Sequence, residues 1–153
     1  MDNFFMKKAL EQAEEAYNLK EVPIGAVIVK NGKIVGSGYN RKEASLDTTN
    51  HAEIVAIREA SKNLKSWRLT DCSMYVTVEP CPMCAGAIVN SRIKDLVIGT
   101  MDPKGGACGS LYNIVEDNNL NHLVNVRRGI MEEECSNIMK NFFKKLREGE
   151  ELW

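Results

Sequence analysis

The stretch IGAVIVKNGKIVGSGYN, residues 24–40, sets two runs rich in β-formers on either side of Asn31-Gly32. Asn-Gly between such runs is the strongest short hairpin signal, because both central residues of a type I′ turn need positive φ. Strands are therefore predicted near residues 24–30 and 33–39. Upstream, Met6, Leu10, Ala13 and Tyr17 recur at helical spacing with charges between them, which predicts an amphipathic helix. Downstream, a polar loop over 41–50 leads to a helix that begins near His51 and carries Ile54, Ile57 and Leu64 inward. Residues 73–78 alternate as a strand that Glu79-Pro80 ends, and a short helix follows from Pro82 to about 90, with proline at a favoured first position. Residues 95–99 predict a strand, 123–126 a weaker one, and 132–147 a final helix. Helices alternating with strands after an opening hairpin imply an α/β fold, a three-layer α/β/α sandwich around a five-stranded mixed sheet.

The bulk numbers fit one domain over residues 1–153. At 153 residues, 44% hydrophobic and 27% charged, the chain can bury a core and is not composed like a disordered one. A formal net charge of -1 excludes coating nucleic acid or membrane by charge alone, though not a local basic patch. The N-terminal MDNFFMKKALEQAEEAYN is interrupted by Lys7, Lys8, Glu11, Glu14 and Glu15, so it has no signal-peptide core. No apolar run is long enough to span a bilayer. Five cysteines, two of them in a CxxC, are then expected as thiols or metal ligands in a reducing compartment, the cytoplasm.

His51 is one of only two histidines, and Glu53 follows it at the head of the predicted helix. In PCPMC, Cys81 and Cys84 stand three apart on the first turn of another helix, whose N-terminus favours thiolates. One imidazole and two thiolates suit zinc and leave a fourth position open for water, and bound zinc lowers that water's pKa. Glu53 is placed to carry its proton. Residues two apart on a regular helix point in nearly opposite directions, so His51 is predicted at the very start of the helix, where both side chains can converge. A closed structural site with His122 or Cys108 as fourth ligand is the alternative, and CxxC alone also fits a redox pair. The ordered combination of HAE with PCxxC about thirty residues on matches the zinc-deaminase signature, in which the glutamate is not a ligand.

With these motifs in view, the chain resembles the bacterial tRNA-specific adenosine deaminases, within the cytidine deaminase-like superfamily. The likeness is carried by EVPIGAVIV, GYNR, HAEIVAIREA, VTVEPCPMCAGAIVNSRI, DPKGGACGSL, LNH and EEECSNIMKNFFKKLR, which cover nearly the whole chain. HAE and PCxxC mark the superfamily; DPKGGACGSL, LNH and the FF-containing basic tail narrow it to the tRNA branch. The resemblance implies hydrolytic conversion of adenosine to inosine at the wobble position of an anticodon stem-loop, with an arginine tRNA carrying ACG as the expected substrate. It implies one zinc ion per subunit, a homodimer, and no membrane partner. By matched position, His51, Cys81 and Cys84 would bind zinc and Glu53 would shuttle protons. Asn40, the Ala52 backbone, Val22, Pro23 and Ile24 would surround the flipped base, while Asp102, Lys104, Phe142, Phe143 and Arg147 would meet the RNA. The acidic end from Glu148 to Trp153 is less family-like.

Some of this has independent support in the residues. Lys140, Lys144, Lys145 and Arg147 fall in a short stretch without acids, a patch suited to phosphate, although a solvated helix face has the same composition. Phe142 and Phe143 are adjacent, so one can face the core while the other turns elsewhere, where an exposed ring would offer a base a stacking surface; two core residues at the edge of an apolar stripe are the alternative. The glycines of DPKGGACGS would let RNA approach the backbone, or simply make a turn. That loop is not a phosphate-binding Walker loop, since no Gly-Lys-Ser/Thr follows at the right spacing. Cys72, Cys108 and Cys135 read as buried or incidental thiols, and Trp67 and Trp153 carry no functional signal. Two rivals stand beside the tRNA reading. One is a deaminase of a free base or nucleoside, for which the tail and loop would not matter; the other is a non-enzymatic protein with a closed zinc site.

Overall fold

The computed structural model describes residues 1–149; the acidic end beyond them, including Trp153, lies outside the described residues. Five strands form one sheet in the order β2-β1-β3-β4-β5. They are β1 (Gly25–Lys30), β2 (Lys33–Tyr39), β3 (Ser73–Val78), β4 (Asp95–Thr100) and β5 (Asn125–Arg128). The hairpin closes as its sequence requires: Lys30 pairs with Lys33, and Asn31 and Gly32 between them have φ of 51° and 75°. β1 also runs antiparallel to β3, whereas β3, β4 and β5 are mutually parallel, so the sheet is mixed. β5 starts two residues later than the apolar pattern near Leu123 predicts. Val124 instead bonds to the Val115 carbonyl, and pairing with β4 begins at Asn125.

Helices cover both faces. On one, α1 (Asp2–Asn18) and α5 (Glu132–Arg147) pack Phe5, Met6, Ala9 and Cys135 against Val27, Val29, Tyr75 and Val97 of the sheet. On the other, α3 (Ala52–Leu64) and α4 (Pro82–Asn90) cover Ala26, Ile28, Met74, Val76, Leu96 and Ile98. A single turn, α2 (Lys42–Ser45), lies between β2 and α3. Among the described residues, no helix is long and apolar enough to cross a membrane.

The inward face of α3 differs from the isoleucine face expected of its sequence. Ala52, Ala56 and Ala60, spaced four apart, are fully buried; Ile57 and Leu64 pack only at the edge, and Ile54 is half-buried. The reason lies on β2. A β-carbon at Gly38 would run into the carbonyl of Ala52, and one at Gly36 into that of Ala56. The helix rests directly on strand backbone, a separation at which only alanine fits. This contact fixes the height and rotation of α3, and hence of the residues at its head.

Candidate active site

α3 and α4 point their N-termini to the same place. His51 is the N-cap of α3, with extended backbone (φ -76°, ψ 158°), and Cys81 is the N-cap of α4 (φ -74°, ψ 174°). An extended N-cap releases its side chain from the helical spiral, so His51 and Glu53, although two apart, reach the same cavity. His51 Nδ1 lies 3.7 Å from Cys81 Sγ and 3.5 Å from Cys84 Sγ. In tetrahedral zinc geometry, with bonds of about 2.3 Å to sulfur and about 2.05 Å to nitrogen, those separations come out near 3.6 Å. The donor set and both nitrogen–sulfur separations therefore fit zinc, and the three residues could hold it. Among the described residues no fourth His, Cys, Asp or Glu joins the group. His122, weighed above as a fourth ligand, is instead in hydrogen-bond contact with the Ile93 carbonyl through Nε2 at 2.7 Å, and Cys108 is buried outside the group.

Electrostatics at the cluster follow from burial and proton sharing. Cys81 accepts from Cys84 and from His51, which outweighs the effect of its burial and brings its thiol down to about 4. Cys84 moves the other way, because it is the donor to Cys81 and is itself buried. Two helix N-termini add partial positive charge, and one thiolate is therefore available at neutral pH even without a metal. Glu53 is 4% exposed. Desolvation raises its carboxyl to about 7, against the lowering influence of its backbone hydrogen bond and of His51. A carboxyl at that value can both accept and donate a proton near neutrality.

His51, Glu53 and Cys81 line a cavity of about 170 Å³ whose walls also include Val22, Ile24, Asn40, Ala52 and Asp102, with Cys84 buried behind them. Pro23, between the first two, is buried and does not line it. Asn40 is held in place from both ends, donating from Nδ2 to the Val22 carbonyl (3.3 Å) and accepting at Oδ1 from the Lys42 amide (3.2 Å). The small cavity adjoins a wider groove of about 640 Å³, and the two share Val22, Ile24, Val78 and Asp102. Lys104, Lys140, Phe143 and Arg147 line the groove, which is cationic and carries one aromatic ring. Phe142 does not reach it: the ring is fully buried, edge-on to Tyr17 and to Phe143. Lys145 is also turned away, over the Tyr17 ring.

Three residues lining the small cavity were not singled out from the sequence, Lys42, Val78 and Glu79. Glu79 had a signal, since a charged residue directly ends the apolar run SMYVTV. Its side chain is 4% exposed and accepts from the loop that carries Asp102. Glu21, buried just after α1, accepts in the same way from the Glu43 and Ala44 amides of α2 (3.0 and 2.6 Å).

Comparison with known proteins places this arrangement. The chain matches the MafB19-like deaminase family over residues 1–147. It is 46% identical over 146 residues to the tRNA-specific adenosine deaminase of Bacillus subtilis, covering 95% of this chain and 91% of that one. The Haemophilus influenzae tRNA-specific adenosine deaminase is 45% identical over 152 residues, covering 99% and 88%. Among solved structures, one from a study of A-to-I editing by tRNA:A34 deaminases at the wobble position of transfer RNA superposes with a TM-score of 0.85 at 42% identity, over 88% of this chain and 98% of the other. A guanine deaminase from Nitrosomonas europaea superposes at 0.80 with 20% identity, over 92% and 83%, a likeness of fold alone. Matched in sequence along nearly its whole length and in fold around a His-Cys-Cys cluster with a buried glutamate, the chain belongs to the MafB19-like deaminase family, in the branch of the bacterial tRNA-specific adenosine deaminases.

Proposed function

We propose that this chain is a zinc enzyme that hydrolyses adenosine to inosine at the wobble position of a tRNA anticodon. The observation that carries the reading is the buried Glu53 beside His51, Cys81 and Cys84, on the floor of a small cavity that adjoins a cationic groove. His51, Cys81 and Cys84 would hold one zinc ion, which when bound supplies the Lewis acidity that brings a water molecule close to ionisation at neutral pH.

Glu53 takes a proton from the attacking water and delivers it to N1 of the adenine as the water oxygen adds to C6. It then takes the proton of the new C6 hydroxyl and passes it to the amino group. The C6–N bond breaks, ammonia leaves, and the ring retains a carbonyl at C6 and the proton on N1. Water and adenosine thus balance ammonia and inosine. The pocket walls orient the base: Asn40 and the Ala52 amide hold its edge, with Val22 and Ile24 on its apolar surface. A wobble base is already single-stranded, so extruding it costs little. Lys104, Lys140 and Arg147 attract the flanking phosphates, and Phe143 offers a ring to a neighbouring base. Phe142, being buried, contributes by supporting Phe143. The nearly half-identical relatives support the substrate class. An arginine tRNA with an ACG anticodon, a homodimeric enzyme, and work in the cytoplasm, where such a substrate is found, complete the proposal.

The test is to incubate zinc-loaded protein with an anticodon stem-loop bearing adenosine at the wobble position, and separately with free adenosine, cytidine and guanine. Inosine in the stem-loop alone, lost in Glu53→Ala while zinc stays bound, is the expected result. Product from a free base or nucleoside only would move the enzyme to another deaminase branch. Loss of zinc together with activity would make Glu53 a ligand and overturn its assigned role.

A further inference from the structure

We propose, resting on the reading above, that Glu79 is a positioning residue for substrate: its carboxylate holds the loop over 101–110 in the one form that sets Asp102 and Lys104 at the mouth of the base pocket. Glu79 follows β3 directly, and both its oxygens are used. Oε1 accepts from the Asp102 amide (2.9 Å) and from the Ser110 hydroxyl; Oε2 accepts from the amides of Cys108 (3.0 Å) and Ser110 (2.9 Å). All four donors come from a single loop, and they converge from both of its ends. The adjoining backbone makes the same connection, with the Glu79 amide donating to the Thr100 carbonyl and the Ala107 amide to that of Pro80.

The loop is shaped around this carboxylate. A β-carbon at Gly106 would fall inside it, so at that position the chain wraps Glu79 at backbone contact. Four donors aimed at one side chain call for a group that only accepts, which an ionised carboxylate does with about four lone-pair sites. A glutamine would turn an NH₂ towards N–H groups and leave buried amides without acceptors. The loop's other end is the functional one. Asp102 lies on the wall shared by the base pocket and the groove, and its own carboxylate closes a turn on the amides of Lys104 (3.1 Å) and Gly105 (3.3 Å). Releasing Glu79 therefore releases the residues that face the nucleotide. It leaves α3, with Ala52 seated on Gly38, undisturbed beneath Glu53.

A positioning role through the loop makes a kinetic claim that a general structural role does not. Zinc-loaded Glu79→Gln and the milder Ser110→Ala are compared with the parent on the wobble-adenosine stem-loop, with zinc content measured in each because Cys81 is two residues away. The expected result for Glu79→Gln is a KM raised about tenfold or more, kcat within about threefold of the parent and one zinc per chain; for Ser110→Ala, KM raised about threefold. Hydrogen exchange without substrate should show the Asp102, Cys108 and Ser110 amides losing protection. A fall in kcat at unchanged KM, or loss of zinc, would overturn the proposal by placing Glu79 on the metal side. If Glu79→Gln does not fold, Ser110→Ala decides, and an unchanged KM there overturns it. Should the parent itself not act on the stem-loop, the functional reading fails separately, and unaltered exchange in Ser110→Ala would then sink the loop-anchor claim on its own.

Discussion

Glu53 and Glu79 are each 4% exposed, and each stands two residues from a member of the His51–Cys81–Cys84 group, yet the fold uses them in opposite ways. Glu53 is desolvated with little compensation, and its carboxyl rises to about 7. For Glu79 burial pulls upward too, but the Ser110 hydroxyl and the amides of Asp102, Ser110 and Cys108 outweigh it and hold the group below the ordinary carboxylate range. The difference teaches that burial alone does not decide what a carboxylate is for; the donors facing it do. A glutamate without enough donors keeps its proton available for transfer, whereas one surrounded by donors becomes a fixed anionic post.

The largest expected effect of breaking this contrast is on turnover. Replacing Glu53 with Gln should lower deamination by a factor of about 10²–10⁴ or more, the usual contribution of a positioned proton carrier, with metal analysis showing zinc retained. Stability against pH comes next. In metal-free protein the folded value of Glu53, near 7, lies above the ordinary 4.5, so the native state holds an extra proton between the two. The Glu53 contribution should then fall as pH rises across that window, by on the order of 3 kcal/mol. Cys81, brought down to about 4, contributes a slope of opposite sign, so the Glu53 part is the difference in slope between the parent and Glu53→Gln. Urea midpoints at pH 5 and pH 8 in both proteins measure it; equal slopes in the parent and the variant would assign the dependence to other groups. Glu79 has the opposite sign. Its folded value is depressed, so its contribution is present above about pH 4.5 and is lost as pH falls through the folded value.

Glu79→Gln should accordingly cost about 2 kcal/mol at neutral pH, roughly 4–8 °C in melting temperature for a chain of this size, and flatten the acid limb. A variant as stable as the parent would mean that the loop re-forms its bonds elsewhere. The smallest effect belongs to Ser110→Ala, about 1 kcal/mol by the same thermal scan, since it removes one of four donors and leaves the rest in place. Together these measurements rank the two carboxylates, one by rate and the other by stability and KM.

How far the sequence anticipated this depends on whether a feature is local. Asn31-Gly32 declared the hairpin because positive φ is a property of those two residues. HAE and PCPMC were readable because ligand chemistry resides in side chains at fixed spacings, and the helix starts that aim them carry proline and polar signals. Glu79 was not readable as an anchor, since its partners are backbone amides 23 to 31 residues further on, and every residue type has an amide. The inward alanines of α3 were missed for a related reason: periodicity ranks isoleucine above alanine, and only the glycines of a different element show that the gap admits nothing larger. The FF pair gave a choice of rings without saying which; the packing of Tyr17 on Phe142 settled it.

The contact of Ala52 and Ala56 with Gly38 and Gly36 also bears on how such an enzyme can change over evolutionary time. Most protein cores drift by exchanging methylenes, and the groups mounted on them shift by fractions of an ångström with each exchange. Here the seat beneath the helix that carries His51 and Glu53 has almost no side chain left to trim and no space in which to add one. The chemistry is thereby insulated from neutral drift. Room for adopting new substrates is confined to the loops around the pocket, where substitutions can redraw the walls without moving the floor.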